Sequence, residues 1–464
     1  MIDSIKSEFE YKSIALLGFG REGRSTYTFL RKLFPQKLFT IIDENEAIRN
    51  EAILKADPNL EFITGSECMQ SIDIFDIAIK SPGIASNSLP AAPKKLQITS
   101  QTDIFLQLYG KQVIGITGTK GKSTTSSLVH YILKNAGINS LLVGNIGIPP
   151  FDCIDEIRNE TLIVMELSSH QLEYVSHSPH IALLLNLFQE HLDHYHSYLD
   201  YQLAKLNLGK FQDNGDYFIY NKDNETIQSH SAQIELFKSE LLSFSQVSEN
   251  KTEINIEEEC VLLNFSGNKQ RIYEIHPGQP LRGRHNMYNI MAASVACFLS
   301  GVTPEKINSG VKTFKGLEHR IELVGEYEDI VWYNDSIATI PEATIEAVKT
   351  LQNVDTLILG GFDRGIEYNI LYPFLNSSGI TNIIFVGEAG MRMKNEFSEY
   401  GIEQIRINIA DNYNEVIKIA RSVTAKGNVC LLSPAAASYD MFRNFEERGD
   451  VFKKNVRGLS PSQE

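Results

Sequence analysis

Residues 113–125, Val-Ile-Gly-Ile-Thr-Gly-Thr-Lys-Gly-Lys-Ser-Thr-Thr, hold the residue types and spacing that grip a triphosphate. Gly118 and Gly121 let backbone N–H groups approach phosphate oxygens, and a helix starting just after them adds partial positive charge. Lys122 would reach the β- and γ-phosphates, and the Ser123 or Thr124 hydroxyl would meet Mg²⁺. The first glycine of the common G-x-x-x-x-G-K-[ST] spacing falls on Ile116, so the loop here is the tighter G-T-x-G-K-S-T. The apolar run Val113, Ile114, Ile116 ahead of it predicts a buried strand. Behind it, Leu128, Val129, Ile132 and Leu133 predict a helix.

Other stretches of the sequence also carry residue types that could do chemistry. Gly18-Phe19-Gly20-Arg21-Glu22-Gly23 is a G-x-G-x-x-G turn after an expected strand at 13–17, and Asp43 ends the next strand about 20 residues on. The pattern alone suggests a dinucleotide fold, and the same turn could cradle another diphosphate such as the UDP of a nucleotide sugar. Ser81-Pro82-Gly83 follows an expected strand at 74–79, either as a ligand loop at a strand's carboxyl end or as a plain type II turn. Glu166 ends the apolar strand 162–166, and a carboxylate at a strand end near a phosphate loop is a Mg²⁺ position. Glu190-His191-Leu192-Asp193-His194-Tyr195-His196 is rich in metal-binding types, but no second cluster completes a tetrahedral zinc set, so Mg²⁺ or phosphate suits it better. Lys205 reads as an ordinary exposed helix lysine. Asn286 and Asn289 share a helical face and could read a nucleobase edge or serve helix packing.

Strand and helix signals alternate along all 464 residues, which predicts an α/β protein with mainly parallel, doubly wound sheets. At roughly 150 residues per domain the length suggests about three, expected as 1–104, Rossmann-like; 105–314, built around the phosphate loop; and 315–464, again Rossmann-like, after a linker at 314–320. A net charge of −15 argues against a nucleic-acid surface, which needs a basic patch. The five cysteines form no metal-spaced pair and no even disulfide set, as expected for thiols in a reducing cytoplasm. The first residues lack the apolar segment of a leader, and no run is long enough to span a membrane.

Read in order, Gly-Thr-Lys-Gly-Lys-Ser-Thr, Gly-Asn-Ile-Gly, Glu-Leu-Ser-Ser, His-Leu-Asp, Gly-Arg-His-Asn-x-x-Asn, His-Arg, Asn-Asp-Ser and Ser-Pro-Ala resemble the Mur ligases, ATP-dependent amide-forming enzymes of peptidoglycan synthesis. The first-domain glycine turn, the length and the stretch from Ser433 to Gly449 resemble the branch that adds D-glutamate to UDP-N-acetylmuramoyl-L-alanine. The Asp-Asn-Pro-Arg expected of diamino-acid-adding members is absent.

The resemblance implies a UDP-substrate domain, a central ATPase and a mobile C-terminal domain that brings the amino acid, in a cytoplasmic monomer. It places Gly18 to Gly23, Asp43, Ser81, Pro82, Gly83 and Asn145 on the UDP-substrate side. ATP would contact Thr119, Lys120, Gly121, Lys122, Ser123, Thr124, Thr125, Asn286, Asn289, Arg320 and Asp335. Mg²⁺, at two sites, would take Ser123, Glu166, His191 and Lys205, the last as a carbamate. Lys122, His191 and Lys205 would be the catalytic set. Thr339, Arg364, Ser438 and Phe445 match positions around D-glutamate. Ile337 stands where many relatives carry a lysine that holds the amino-acid carboxylate, so Arg364, whose fork can grip a carboxylate bidentately, is expected to do more of that work. The competing expectations are a folylpolyglutamate-synthase-like ligase and a non-catalytic UDP-sugar sensor.

Overall fold

The computed structural model describes residues 2–459 apart from 91–94, 147, 191–193, 248–251, 266, 277, 278, 280, 282, 352 and 401–403. Three sheets organise the chain within two compact units, Met1–Phe314 and Lys315–Glu464. The first sheet is wholly parallel, in the order Leu60–Thr64, Phe39–Asp43, Ile14–Leu17, Ile77–Lys80, Gln97–Thr99. Strand order reverses at Ile14–Leu17, and the Gly18 and Ser81 turns leave the carboxyl ends of the two neighbouring strands there. Such a switch point opens a crevice for a ligand.

In the second sheet Val113–Thr117 lies between Leu162–Glu166 and Ile181–Leu184, all parallel, and Ile116 pairs with Glu166. Every residue of Val113–Thr117 is buried. A parallel strand covered on both faces needs such a continuous apolar run. Helices Lys122–Asn135 and Arg284–Leu299 pack on each other over one face. Ala292, Ala293, Ser294 and Ala296 are all buried in the second helix, and their small side chains let it come close. On the other face, one apolar cluster runs from Ile14, Phe29 and Phe105 to Val143, Leu184 and Leu208. The first two sheets therefore share a core.

The third sheet runs Glu322–Tyr327, Ile330–Asn334, Val429–Leu432, Val354–Gly360, Asn382–Val386, Arg406–Ala410, parallel after its first, antiparallel pair. Among the described residues, no helix is long and apolar enough to cross a membrane.

Two expectations need correction. The strand expected at 74–79 is Ile77–Lys80, and Ile74 instead closes a 3-10 turn, Cys68–Ile74, with its side chain exposed. The second sheet also carries an antiparallel meander, Ile254–Glu257, Cys260–Phe265 and Asn268–Glu274, which the sequence reading did not anticipate. Most residues of its last strand are exposed, so that strand shows no full alternation of apolar and polar positions.

Candidate active site

Thr117 ends the central strand and Lys122 opens the helix, with Gly118 to Gly121 between them. Gly118 and Gly121 have φ of +157° and +86°. Gly121, as N-cap, has a left-handed backbone, and a side chain there would collide with the Asn289 amide. The loop therefore needs glycine on two grounds, backbone and space. Lys122 Nζ donates to the Gly118 and Thr119 carbonyls, both at 2.9 Å, so its ammonium is folded over the loop. Thr119 Oγ1 lies 2.7 Å from the Tyr201 hydroxyl and accepts the Phe188 N–H at 2.9 Å, while exposed Lys120 pairs with Glu190 at 2.6 Å. Ser123 and Thr124 are half-buried, and Thr125 is buried. Asn289 is buried and donates to Asn286 Oδ1 at 3.1 Å, so these two asparagines are in contact and one of them sits on the loop.

Glu166 lies at the adjoining strand end and is buried. Its Oε1 accepts from Asn145 Nδ2 at 2.8 Å, while its buried Oε2 has no hydrogen-bond partner among the described residues. A carboxylate oxygen left so is costly unless a cation meets it. The structure thus brings together Asn145, Glu166 and the phosphate loop.

Lys205 is not the exposed lysine of the sequence reading: it is 2% exposed. Its helix, Tyr198–Lys210, buries Tyr201, Ala204, Leu206 and Leu208 as well, so it has no clean polar face to hold a lysine in solvent. Lys205 Nζ donates to Gly118 O at 3.0 Å and lies 3.4 Å from Thr117 Oγ1. Burial first, then the charge of Lys122, pushes its pKa well below the ordinary lysine value, against smaller opposing effects of Glu190 and Glu166. His191, the remaining member of the expected catalytic set, lies outside the described residues.

In the first sheet, Gly18 takes φ of +82°, and a side chain on Gly23 would collide with the Gly18 carbonyl. Ser81 Oγ donates to Gly18 O at 2.9 Å, which ties the two turns together. Pro82 and Gly83 complete the second turn, closed by Ile84 N–H to Ser81 O at 3.1 Å. Asp43 accepts the Phe19 N–H at 2.7 Å and the Asn45 N–H at 2.8 Å. Its carboxylate thus braces the glycine turn, whereas a dinucleotide site would direct it to a ribose. Glu22 accepts from Gln171 Nε2 at 2.6 Å, and burial raises its pKa. Arg21 and Gly20 are exposed at the turn's rim. Gln171 was not singled out in the sequence. Its side chain also accepts the Ser168 N–H, three residues back, and that capping box is the signal that marks it.

The C-terminal unit holds the other expected residues. Asp335 is buried, accepts from Ser433 Oγ at 2.7 Å and Ile321 N–H at 3.2 Å, and burial pushes its pKa up to about 7. Arg320, exposed, adds a smaller opposing pull. Arg364 donates to Thr339 O at 3.0 Å, so these two meet, and Ile337 beside them is 36% exposed. Ser438 is buried, and Phe445 opens the helix Phe445–Arg457. Buried Arg448 binds Ser336 Oγ, Ser336 O, Ala436 O and Ala437 O. Ser336 in turn donates to Phe445 O. Arg448 therefore knits together the segments carrying Thr339, Ser438 and Phe445, a role the sequence reading missed because its partners lie about a hundred residues upstream and in a local loop.

The Asp335 environment has a consequence for stability. Between its ordinary value of 3.8 and about 7, the folded chain keeps a proton that the unfolded chain releases, so this group lowers stability as pH rises through that window. Asp335→Asn removes the charge, and Ser433 Oγ can turn to accept from the new amide. The thermal midpoint of the variant should exceed that of the original by a few degrees at pH 8, with the gap closing toward pH 4, read by scanning calorimetry.

Residues 116–297 match the Mur ligase middle domain. The chain is 32% identical over 464 residues to the UDP-N-acetylmuramoylalanine–D-glutamate ligase of Clostridium kluyveri, covering 98% of this chain and 99% of that one. It is 31% identical over 463 residues to the ligase of the same name from Thermoanaerobacter sp. (strain X514), covering 97% and 99%. Among solved structures, the MurF ligase of Thermotoga maritima in complex with ADP aligns with a TM-score of 0.55 at 15% identity, over 91% of this chain and 96% of that one. The UDP-N-acetylmuramate-alanine ligase MurC of Thermotoga maritima aligns with a TM-score of 0.54 at 17% identity, over 97% and 100%. Those two likenesses establish the fold. With relatives above 30% identity along nearly the whole length, the chain belongs to the family of UDP-N-acetylmuramoylalanine–D-glutamate ligases.

Proposed function

We propose that the chain uses ATP to join D-glutamate to UDP-N-acetylmuramoyl-L-alanine through an acyl phosphate, a step of peptidoglycan precursor synthesis. The observation that carries this reading is a triphosphate loop whose neighbouring strand ends in a buried, half-satisfied carboxylate, Glu166, in the same compact unit as a glycine turn suited to a diphosphate. Residues 1–104 would take the UDP end, 105–314 the ATP and 315–464 the amino acid.

An oxide ion cannot leave a carboxylate, so the acyl group needs activation. An oxygen of the alanyl carboxylate attacks the γ-phosphorus, the bond to the β-phosphate oxygen breaks, and ADP leaves. The D-glutamate amine then attacks the carbonyl carbon, gives up a proton, and phosphate departs. Loop N–H groups and Lys122 would hold the γ-phosphoryl oxygens while charge shifts among them. Glu166, with its unpartnered oxygen, fits a divalent cation, and Ser123, His191 and a carbamate on Lys205 would complete two Mg²⁺ sites. When bound, Mg²⁺ would supply charge neutralisation on the triphosphate. Asn145, already against Glu166, would orient the acceptor. Thr339, Arg364, Ser438 and Phe445 would receive D-glutamate, with Arg364 as the cation for its carboxylate in the absence of a lysine at Ile337.

The test is phosphate release with ATP, an acceptor and a panel of amino acids of both hands. Release should require UDP-N-acetylmuramoyl-L-alanine and D-glutamate together. Release with a folate acceptor instead would overturn the reading, and no release with either acceptor would leave the non-catalytic UDP-sugar sensor.

A further inference from the structure

We infer that Glu173 is a positioning residue whose carboxylate clamps both flanks of the Ser81-Pro82-Gly83 turn in the shape that receives the diphosphate end of the UDP-linked substrate. This rests on the reading above that the turn belongs to the UDP site. Glu173 caps the carboxyl end of the one-turn helix Ser169–Leu172, which follows the strand ending in Glu166. Its Oε2 accepts from Lys80 Nζ at 2.9 Å, and its Oε1 accepts from Ser86 Oγ at 2.6 Å and lies 3.1 Å from His194 Nε2. Lys80 is the last residue of its strand, immediately before the turn, and Ser86 opens the 3-10 segment Ser86–Ser88 just after it. One side chain, more than 80 residues downstream, thus holds the chain where it enters the turn and where it leaves.

The pair is not surface decoration. The side chains of Lys80 and Glu173 are 1% and 7% exposed. Burial pulls the Lys80 pKa down, and the charges of Glu173 and Glu22 restore part of it. For Glu173, burial would raise the pKa, but His194, Lys80 and Ser86 together outweigh it and hold the carboxyl below its ordinary value. A buried ammonium that loses its carboxylate must find another counter-charge or admit water. The second carboxylate acting on Lys80 is Glu22, inside the Gly18–Gly23 turn. Removing the Glu173 charge would therefore draw Lys80 toward Glu22 and displace both turns of the crevice. His194, three residues beyond His191, stacks on His170 with ring centroids 3.8 Å apart.

The experiment measures calorimetric affinity of the full-length protein for UDP-N-acetylmuramoyl-L-alanine, together with the KM for ATP in phosphate release. Glu173→Gln keeps the shape and removes the charge, and it should weaken acceptor binding about tenfold or more. The KM for ATP should stay within about twofold, because the phosphate loop keeps all its contacts. Ser86→Ala removes the exit hydrogen bond to Glu173, with a long 3.5 Å contact from the Tyr174 hydroxyl, and it should weaken acceptor binding about two- to threefold. Acceptor affinity unchanged in Glu173→Gln, or a parallel rise in the KM for ATP, would make Glu173 a structural residue and overturn the inference. Should Glu173→Gln not fold, Ser86→Ala decides alone, and unchanged affinity there overturns it. If the unsubstituted protein binds no UDP-linked acceptor, the reading of the site itself falls; if it binds and both variants bind equally well, only this inference falls.

Discussion

Lys122→Ala is expected to lower turnover by about a hundred- to a thousandfold while leaving affinity for the UDP-linked acceptor unchanged. The ammonium already rests on two carbonyls of the loop that would face the triphosphate, Gly118 and Thr119, so a short swing would carry it onto phosphate oxygens. There it would meet charge that grows as the γ-phosphoryl group transfers, and such an interaction enters kcat more than KM. The fold should tolerate the change, because Lys122 is the first residue of its helix and alanine is the best helix former. A second effect follows from position. Lys122 is one of the charges that depress the Lys205 pKa, so its loss lets Lys205 hold its proton more firmly. Phosphate release and calorimetry on one preparation check both halves, and unchanged turnover would remove Lys122, and the loop, from the chemistry.

The loop could be read from sequence because its determinants are local. Gly118 and Gly121 need unusual backbone, Lys122 follows at once, and the flanking strand and helix announce themselves by burial period. Glu166 was legible for the same reason: a carboxylate ending an apolar strand is conspicuous, although its unpaired oxygen shows only in three dimensions. Asp43 shows the limit. Its spacing ties it to the glycine turn, but the hydrogen bonds it accepts from the Phe19 and Asn45 N–H groups show only in three dimensions. The Lys80–Glu173 pair joins residues 93 apart, and no local pattern marks either partner. Arg448 has partners 112 residues upstream and at Ala436, ahead of its own helix, so its knitting role depends on the finished packing. The meander at 254–274 escaped because an exposed last strand lacks the apolar alternation that identifies strands. Features fixed by neighbours in sequence were readable, and features fixed by distant contacts were not.

Lys205 is where the two meet, and its replacement should be nearly as damaging as that of Lys122. Lys205→Ala is expected to cut turnover at least about ten- to a hundredfold, the loss that removing even an outer partner of a metal's ligands brings. An ordinary lysine near pKa 10.4 keeps only about one molecule in 2,500 unprotonated at pH 7. Burial and the charge of Lys122 move Lys205 well below that, so a far larger share is free amine. A free amine can add CO₂, forming an N–C bond and releasing a proton, and the product is a carboxylate. That conversion also resolves the local electrostatics. The buried cation repelled by Lys122 would become an anion attracted to it, and with Glu166 and Glu190 nearby it would call for a cation among them, as a magnesium site does. Because only the free amine reacts, the carbamate should be lost as pH falls through the depressed pKa. Carbon-13 NMR after incubation with labelled bicarbonate should show a carbamate carbon in the original protein and none in Lys205→Ala. Stripping CO₂ from the buffer should lower turnover, and bicarbonate should restore it. Lys205→Arg keeps a permanent charge and cannot be carboxylated, so it should fail as badly as alanine. Full turnover in either variant would leave Lys205 a packing residue with no part in the reaction.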